Sequence, residues 1–206
     1  MDGLYEDLIQ IIMNMSKPDI FLKLNKQFNK IAKNIIFSEY YMTKFAESDN
    51  DLIKKVMISD PNLLEKYSNA NKIILSDDFN DKINILSNIT HVTFGQNFNS
   101  EINGLPDSIT NLTFGFYFNQ KIKGALPPFL IYLKFGYSFN QYIIGEIPDT
   151  VVKLIFGGKF NNKIQGAIPK NVTYLVFGED FNRSIENSIP ESVIYLKFGY
   201  EFDSFY

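Results

Sequence analysis

Cysteine and tryptophan are absent from this 206-residue chain, and histidine occurs once, at His91. Without cysteine there is no disulfide to staple the fold and no thiolate ligand for a metal, and a reducing compartment suits such a chain. A lone histidine leaves little for a metal site, which needs several His, Asp or Glu side chains converging. It equally leaves little for a nucleophile–base pair, because Thr93 and Asn111, its expected neighbours, do not complete one. No apolar run is long enough to cross a bilayer. The acidic opening MDGLYEDLIQ lacks the apolar core of a secretory signal. An excess of positive charge is missing too. Lys and Arg number 20 against 23 Asp and Glu, with 9 against 10 in residues 1–70 and 11 against 13 beyond. No phosphate-backbone footprint follows from that balance. The expectations are a cytoplasmic, non-enzymatic protein with no cofactor, and neither nucleic acid nor membrane as partner.

What the chain has in excess is phenylalanine, 20 residues of it. Phe-Gly recurs at Phe94, Phe114, Phe135, Phe156, Phe177 and Phe198, in steps of 20, 21, 21, 21 and 21. A fixed period of this length marks a stacked repeat array. Aligned on that pair, the unit reads L-x-F-G-x-x-F-N-x-x-[IY]-x-G-x-[IL]-P-x-x-[VIL]-x-x. A degenerate earlier copy is visible at Ile73, Leu75, Phe79, Asn80 and Ile83.

Each column has a physical reading. L-x-F alternates with period two, which predicts a short strand with Leu and Phe inward. Strands repeating in one direction predict a parallel sheet whose identical inward side chains stack into ladders. The Gly after Phe is expected to let the chain turn sharply off the strand. Gly104, Gly124, Gly145 and Gly166 are followed in their column by Asn187, the substitution expected where φ is positive. The Asn column (Asn99, Asn119, Asn140, Asn161, Asn182, then Asp203) is expected to bond to backbone of the neighbouring loop. Proline has no N–H, so Pro106, Pro127, Pro148, Pro169 and Pro190 belong off the ladder, on the return side.

Ile109-x-x-Leu112-x-Phe114 resembles the L-x-x-L-x-L strand of a leucine-rich repeat, although the unit is short. F-N-x-x-I-x-x-x-I-P more closely resembles the FNIP repeat, and seven copies over residues 73–206 agree with it. The expected fold is an α+β solenoid: a leucine-rich-repeat-like parallel β stack with an N-terminal helical module. A right-handed β-helix is the alternative that a 21-residue coil leaves open.

Residues 1–72 lack the repeat. Leu4, Leu8, Ile12 and Met15 follow helical spacing, Pro18-Asp19 can start a second helix, and a further helix is expected over Asp51–Ile58. Residues 1–35 resemble a degenerate F-box, through Leu4, Glu6-Asp7, Leu8-Ile9, Ile12, Pro18-Asp19-Ile20 and Lys26-Gln27-Phe28. Tyr5 stands where that family has Pro, and Asp19–Phe28 is about two residues short of the pattern. The resemblance implies that Leu4, Leu8, Ile9, Ile12, Pro18, Ile20 and Phe28 would contact a Skp1-type linker. Residues 36–72 are expected to be a helical linker or cap, since repeat arrays need their ends covered. F-box followed by FNIP repeats is a layout of amoebae and their large DNA viruses. It implies a ubiquitin-ligase adaptor, acting in the host cytoplasm where the source is viral.

The outward strand positions are the remaining candidates. One column runs His91, Asn111, Tyr132, Lys153, Tyr174, Tyr195. The next runs Thr93, Thr113, Lys134, Ile155, Val176, Lys197, and a third, after the Gly, runs Gln96, Phe116, Tyr137, Gly158, Glu179, Tyr200. Tyrosine offers large contact area at low entropic cost. The expected protein-binding residues are therefore Phe116, Tyr132, Lys134, Tyr137, Lys153, Tyr174, Tyr195, Lys197 and Tyr200. Asp77-Asp78 and Glu179-Asp180 read as solvated loop charge. The strand around Ile194–Phe198 is expected to be an exposed edge, open to pairing with a second copy.

Overall fold

Each coil opens with a triplet in which one apolar residue stands between two that face solvent, too short for a helix and suited to a strand. In the computed structural model, which describes residues 55–58, 70–80, 85 and 87–203, these triplets and two four-residue runs form eight strands. They are β1 (Lys55–Ile58), β2 (Lys72–Leu75), β3 (His91–Thr93), β4 (Asn111–Thr113), β5 (Tyr132–Lys134), β6 (Lys153–Ile155), β7 (Tyr174–Val176) and β8 (Tyr195–Lys197). All lie parallel in one sheet, in chain order. The register sets Val92 opposite Leu112, then Leu133, Leu154, Leu175 and Leu196, so every coil presents the same residues at the same height.

Turns make up the rest of the coil. The Phe118 N–H donates to the Gly115 carbonyl, Ala125 to Ile122, and Val151 to Pro148, with equivalents in neighbouring coils. The Ile-x-Gly turn needs a left-handed residue at its third position. Gly104, Gly124, Gly145 and Gly166 supply it, and Asn187 does so at φ 50°, as the column predicts. Proline carbonyls accept turn bonds outside the sheet, where no ladder N–H is missed.

The core is two interleaved phenylalanine stacks. Within a coil Phe114 lies 3.9 Å from Phe118 and Phe135 lies 3.8 Å from Phe139, centroid to centroid. Between coils Phe114 to Phe135 is 5.6 Å and Phe118 to Phe139 is 6.0 Å, with rings near parallel. Phe98, Phe118, Phe139, Phe160 and Phe181 are wholly buried. Each contributes about 1.5–3 kcal/mol by burial, and ring pairing adds about 0.5–1.5 kcal/mol. The asparagines form the polar counterpart. Asn99 Oδ1 accepts from the Asn119 N–H at 2.8 Å, Asn119 from Asn140 at 2.9 Å, and Asn140 from Asn161 at 3.0 Å.

Three expectations need correction. The turn expected at the Gly after Phe is present, with the Phe118 N–H donating to the Gly115 carbonyl, but it uses no positive φ and so is not what requires glycine. A Cβ on Gly157 would run into the carbonyl of Gly136 below it, and Gly115, Gly136 and Gly178 stand in the same relation to their neighbours. Glycine is required by the closeness of the coils. The helix expected over Asp51–Ile58, within the 36–72 helical linker, is overturned at residues 55–58. They form β1, with Val56 opposite Ile73 and Ile58 opposite Leu75. The run Lys-Val-Met-Ile alternates as Lys-Ile-Ile-Leu does in β2. Pairing satisfies a row of backbone groups on β2 that helix formation would leave bare. The β-helix alternative also falls. Among the described residues each coil contributes a strand to one sheet only, and turns replace the further faces a three-sided coil would have. The fold is a leucine-rich-repeat-like parallel β-solenoid. The F-box-like residues Leu4, Leu8, Ile9, Ile12, Pro18, Ile20 and Phe28 lie outside the described residues.

Candidate functional site

Alternation along the strands places every second side chain on the outer face of the sheet, and the fixed register turns these into columns. The first column carries Lys72, His91, Asn111, Tyr132, Lys153, Tyr174 and Tyr195 on successive strands. Its second half is continuous. The Lys153 ammonium sits 4.1 Å from the Tyr174 ring centre and 5.6 Å from that of Tyr132. Tyr174 stacks on Tyr195 at 4.3 Å, nearly parallel. Burial, then the neighbouring Tyr174, pushes the Tyr132 hydroxyl above its ordinary pKa, while a hydrogen bond with Thr113 pulls the other way. That phenol therefore stays protonated and able to donate. Lys134 and Lys197, in the second column, are exposed.

The third column leaves the sheet along the rim after the strands. Phe116 stacks on Tyr137 at 4.8 Å, and Tyr117 meets Phe116 edge-on at 4.8 Å. Tyr137 then lies over Gly158, where a Cβ would strike its ring. The Glu179 carboxylate, two coils along, raises the pKa of the Tyr137 hydroxyl most; burial and Asp180 add to the effect. Lys159 Nζ is 6.0 Å from the same ring. Tyr200, further along, is 91 % exposed and has no ring partner among the described residues.

The nine repeat-face residues thus fall into two groups. Tyr132, Lys153, Tyr174 and Tyr195 form one line on the sheet, flanked by Lys134 and Lys197. Phe116 and Tyr137 form a pair on the rim, and Tyr200 lies further along that rim, stacked on neither group among the described residues. Tyr117 and Lys159 were missed as members of the rim, and Glu179, although written in the third column, was not among the expected binding residues. The signal that could have found them is Gly158, the one residue without a side chain in its column. Glu179 and Asp180 are both exposed, and their charges raise the pKa of Tyr137.

His91 makes a 2.9 Å contact from Nδ1 to Thr90 Oγ1. Burial, and then the charge of Lys72, lower its pKa. Among the described residues no group of three or more His, Cys, Asp or Glu is placed to hold a metal ion. No helix among them is long and apolar enough to cross a membrane.

Ile194, just before β8, is 87 % exposed and Leu196 within it 38 %, whereas Leu133, Leu154 and Leu175 are wholly buried.

The family model described as FNIP Repeat matches residues 79–117, 118–159 and 160–202, more than half of the chain. The three matches each begin at a core Phe-Asn step and span about two coils. A solved structure described as the crystal structure of CroV588, a novel circular LRR protein structure, is 41% identical, with a TM-score of 0.60. The likeness covers 65% of this chain and 21% of that one, so the chain spans about a fifth of that protein's length. No curated protein matches.

Proposed function

The chain belongs to the FNIP repeat family, and on that premise we propose that it is a non-enzymatic interaction scaffold whose outer sheet face holds a protein target. The observation that carries this reading is the unbroken line Tyr132–Lys153–Tyr174–Tyr195. Stacked aromatic residues are rigid before any partner arrives, and binding surfaces favour tyrosine for that reason.

The finer reading is a substrate-recognition subunit of a Skp1-cullin-type ubiquitin ligase. Its support is the F-box-like pattern at Leu4, Leu8, Ile9, Ile12, Pro18, Ile20 and Phe28 preceding the repeats. Affinity purification from the native host cell with mass spectrometry tests both parts. The intact chain is expected to capture a linker and a target. Deleting residues 1–35 is expected to remove the linker alone, and Y174A with Y195A to remove the target alone. Linker capture that survives the deletion discards the adaptor and leaves the scaffold.

Tyr5 favours a second reading, a scaffold without ligase recruitment, because that position departs from the F-box pattern. The same deletion separates the two. Pairing of two copies along β8 belongs here as well. Sedimentation at micromolar concentration decides between monomer and dimer.

A further inference from the structure

The outer sheet face and its rim differ in the sign of their charge. From β2 to β8 the two outward strand columns carry Lys72, Lys134, Lys153 and Lys197, and no Asp or Glu. The chain as a whole is acidic, at −3. Acids stand in the turns on either side of the strands: Asp107, Asp149 and Glu191 before them, and Asp77, Asp78, Glu179, Asp180 and Glu201 after them. On the strands themselves a target meets only positive charge, and it meets that charge among the rings of Tyr132, Tyr174 and Tyr195.

Lys153 sharpens the point. A free lysine loses side-chain entropy when it docks on a partner, but this one is already held between the rings of Tyr132 and Tyr174. Lys134 and Lys197 lie three rungs apart in one column, about 14 Å at the usual strand spacing. An extended segment covers that span in about four residues, with Lys153 between and to one side. Charges of one sign on a concerted face select partners of the other sign and speed their arrival.

We propose that the outer sheet face takes an extended acidic segment of a partner protein, its carboxylates on Lys134, Lys153 and Lys197 and its apolar residues against Tyr174 and Tyr195. The inference rests on the scaffold reading above and names the class of target.

The test uses the full chain and two short labelled peptides, one alternating Glu with Leu and the other with Lys in place of every Glu. Fluorescence anisotropy is expected to show binding of the Glu peptide only. Its affinity is expected to fall at least about tenfold as salt rises from about 50 to about 500 mM. K134E and K153E are each expected to weaken it at least about tenfold, and K153Q to weaken it less. K170E, an exposed site off this face, is expected to leave it unchanged, with thermal midpoints showing that all four variants fold. Equal binding of both peptides overturns the proposal, and so does a loss in K170E matching that in K153E. Self-association of the chain that K153E abolishes assigns the face to a second copy and overturns it too. If Y174A with Y195A releases a captured target while the peptides are not discriminated, the scaffold stands and only its acidic partner falls.

Discussion

Lys153 holds its ammonium 4.1 Å from the centre of the Tyr174 ring, one strand further along the sheet. The two residues are 21 apart in the chain and meet only because each coil is one period long. Tyr174 in turn stacks on Tyr195, so contact passes along the face in a line. Stacking of equivalent positions builds the outer surface in the same way that it builds the phenylalanine core, and four predictions test what holds the coils at that spacing.

Two glycine columns should respond differently to the same substitution. G157A drives a methyl group into the Gly136 carbonyl, and separating two coils is expected to cost about 3 kcal/mol or more. G145A meets open space but keeps a φ of 74°, at an expected cost of about 1–2 kcal/mol. Urea unfolding followed by circular dichroism ranks the two.

The asparagine ladder depends on an acceptor. Asn140 Oδ1 takes the Asn161 N–H and also Asn162 Nδ2. N140A removes both bonds at an exposed site and is expected to cost about 0.5–1.5 kcal/mol. N140D keeps an oxygen there, as Asp203 does at its own place in the column, and is expected to lose less. If N140D proves as damaging as N140A, acceptance by Oδ1 is not what the column provides.

His91 is the chain's single histidine, so its imidazole gives one resolved NMR titration. Burial first, and Lys72 second, hold its pKa below 6.5. The folded-state value is depressed, so the associated stability is present above the unfolded value of about 6.5. It is lost as pH falls through the folded value. K72Q is expected to raise the midpoint part of the way towards 6.5, leaving the contribution of burial in place.

Tyr137 should titrate in the opposite sense. Glu179 chiefly, with burial and Asp180, raises its pKa. Stability from this group is therefore full below the unfolded value of about 10 and declines as pH climbs through the folded one. Ultraviolet titration of the wild type against E179Q is expected to show one phenol ionising earlier in the variant. Identical curves would remove Glu179 from the rim.

The period, the inward columns and the positive-φ turn were legible because each is a pattern within about one coil. Leu112 and Phe114 are spaced for a strand, and Asn187 in a glycine column shows what that backbone needs. The glycine after Phe was legible as necessary but not for the right reason. Its constraint comes from a carbonyl 21 residues away, and spacing along a chain does not state how closely coils approach. β1 was hidden because its four residues precede any recognisable copy, and they read as a strand only once β2 offers an edge. The outward columns could be written down, but not divided into a sheet line and a rim pair, since Gly158 separates them by what it lacks.

By itself, then, the sequence determined a coil, its period and which residues face inward, because alternation and turn chemistry act between near neighbours. Only the tertiary structure decided the height of each rung, the extra strand at the start, and which exposed rings and charges touch. Those depend on contacts between coils, where one added methyl group decides whether backbone passes backbone and the rung spacing decides that Lys153 reaches Tyr174.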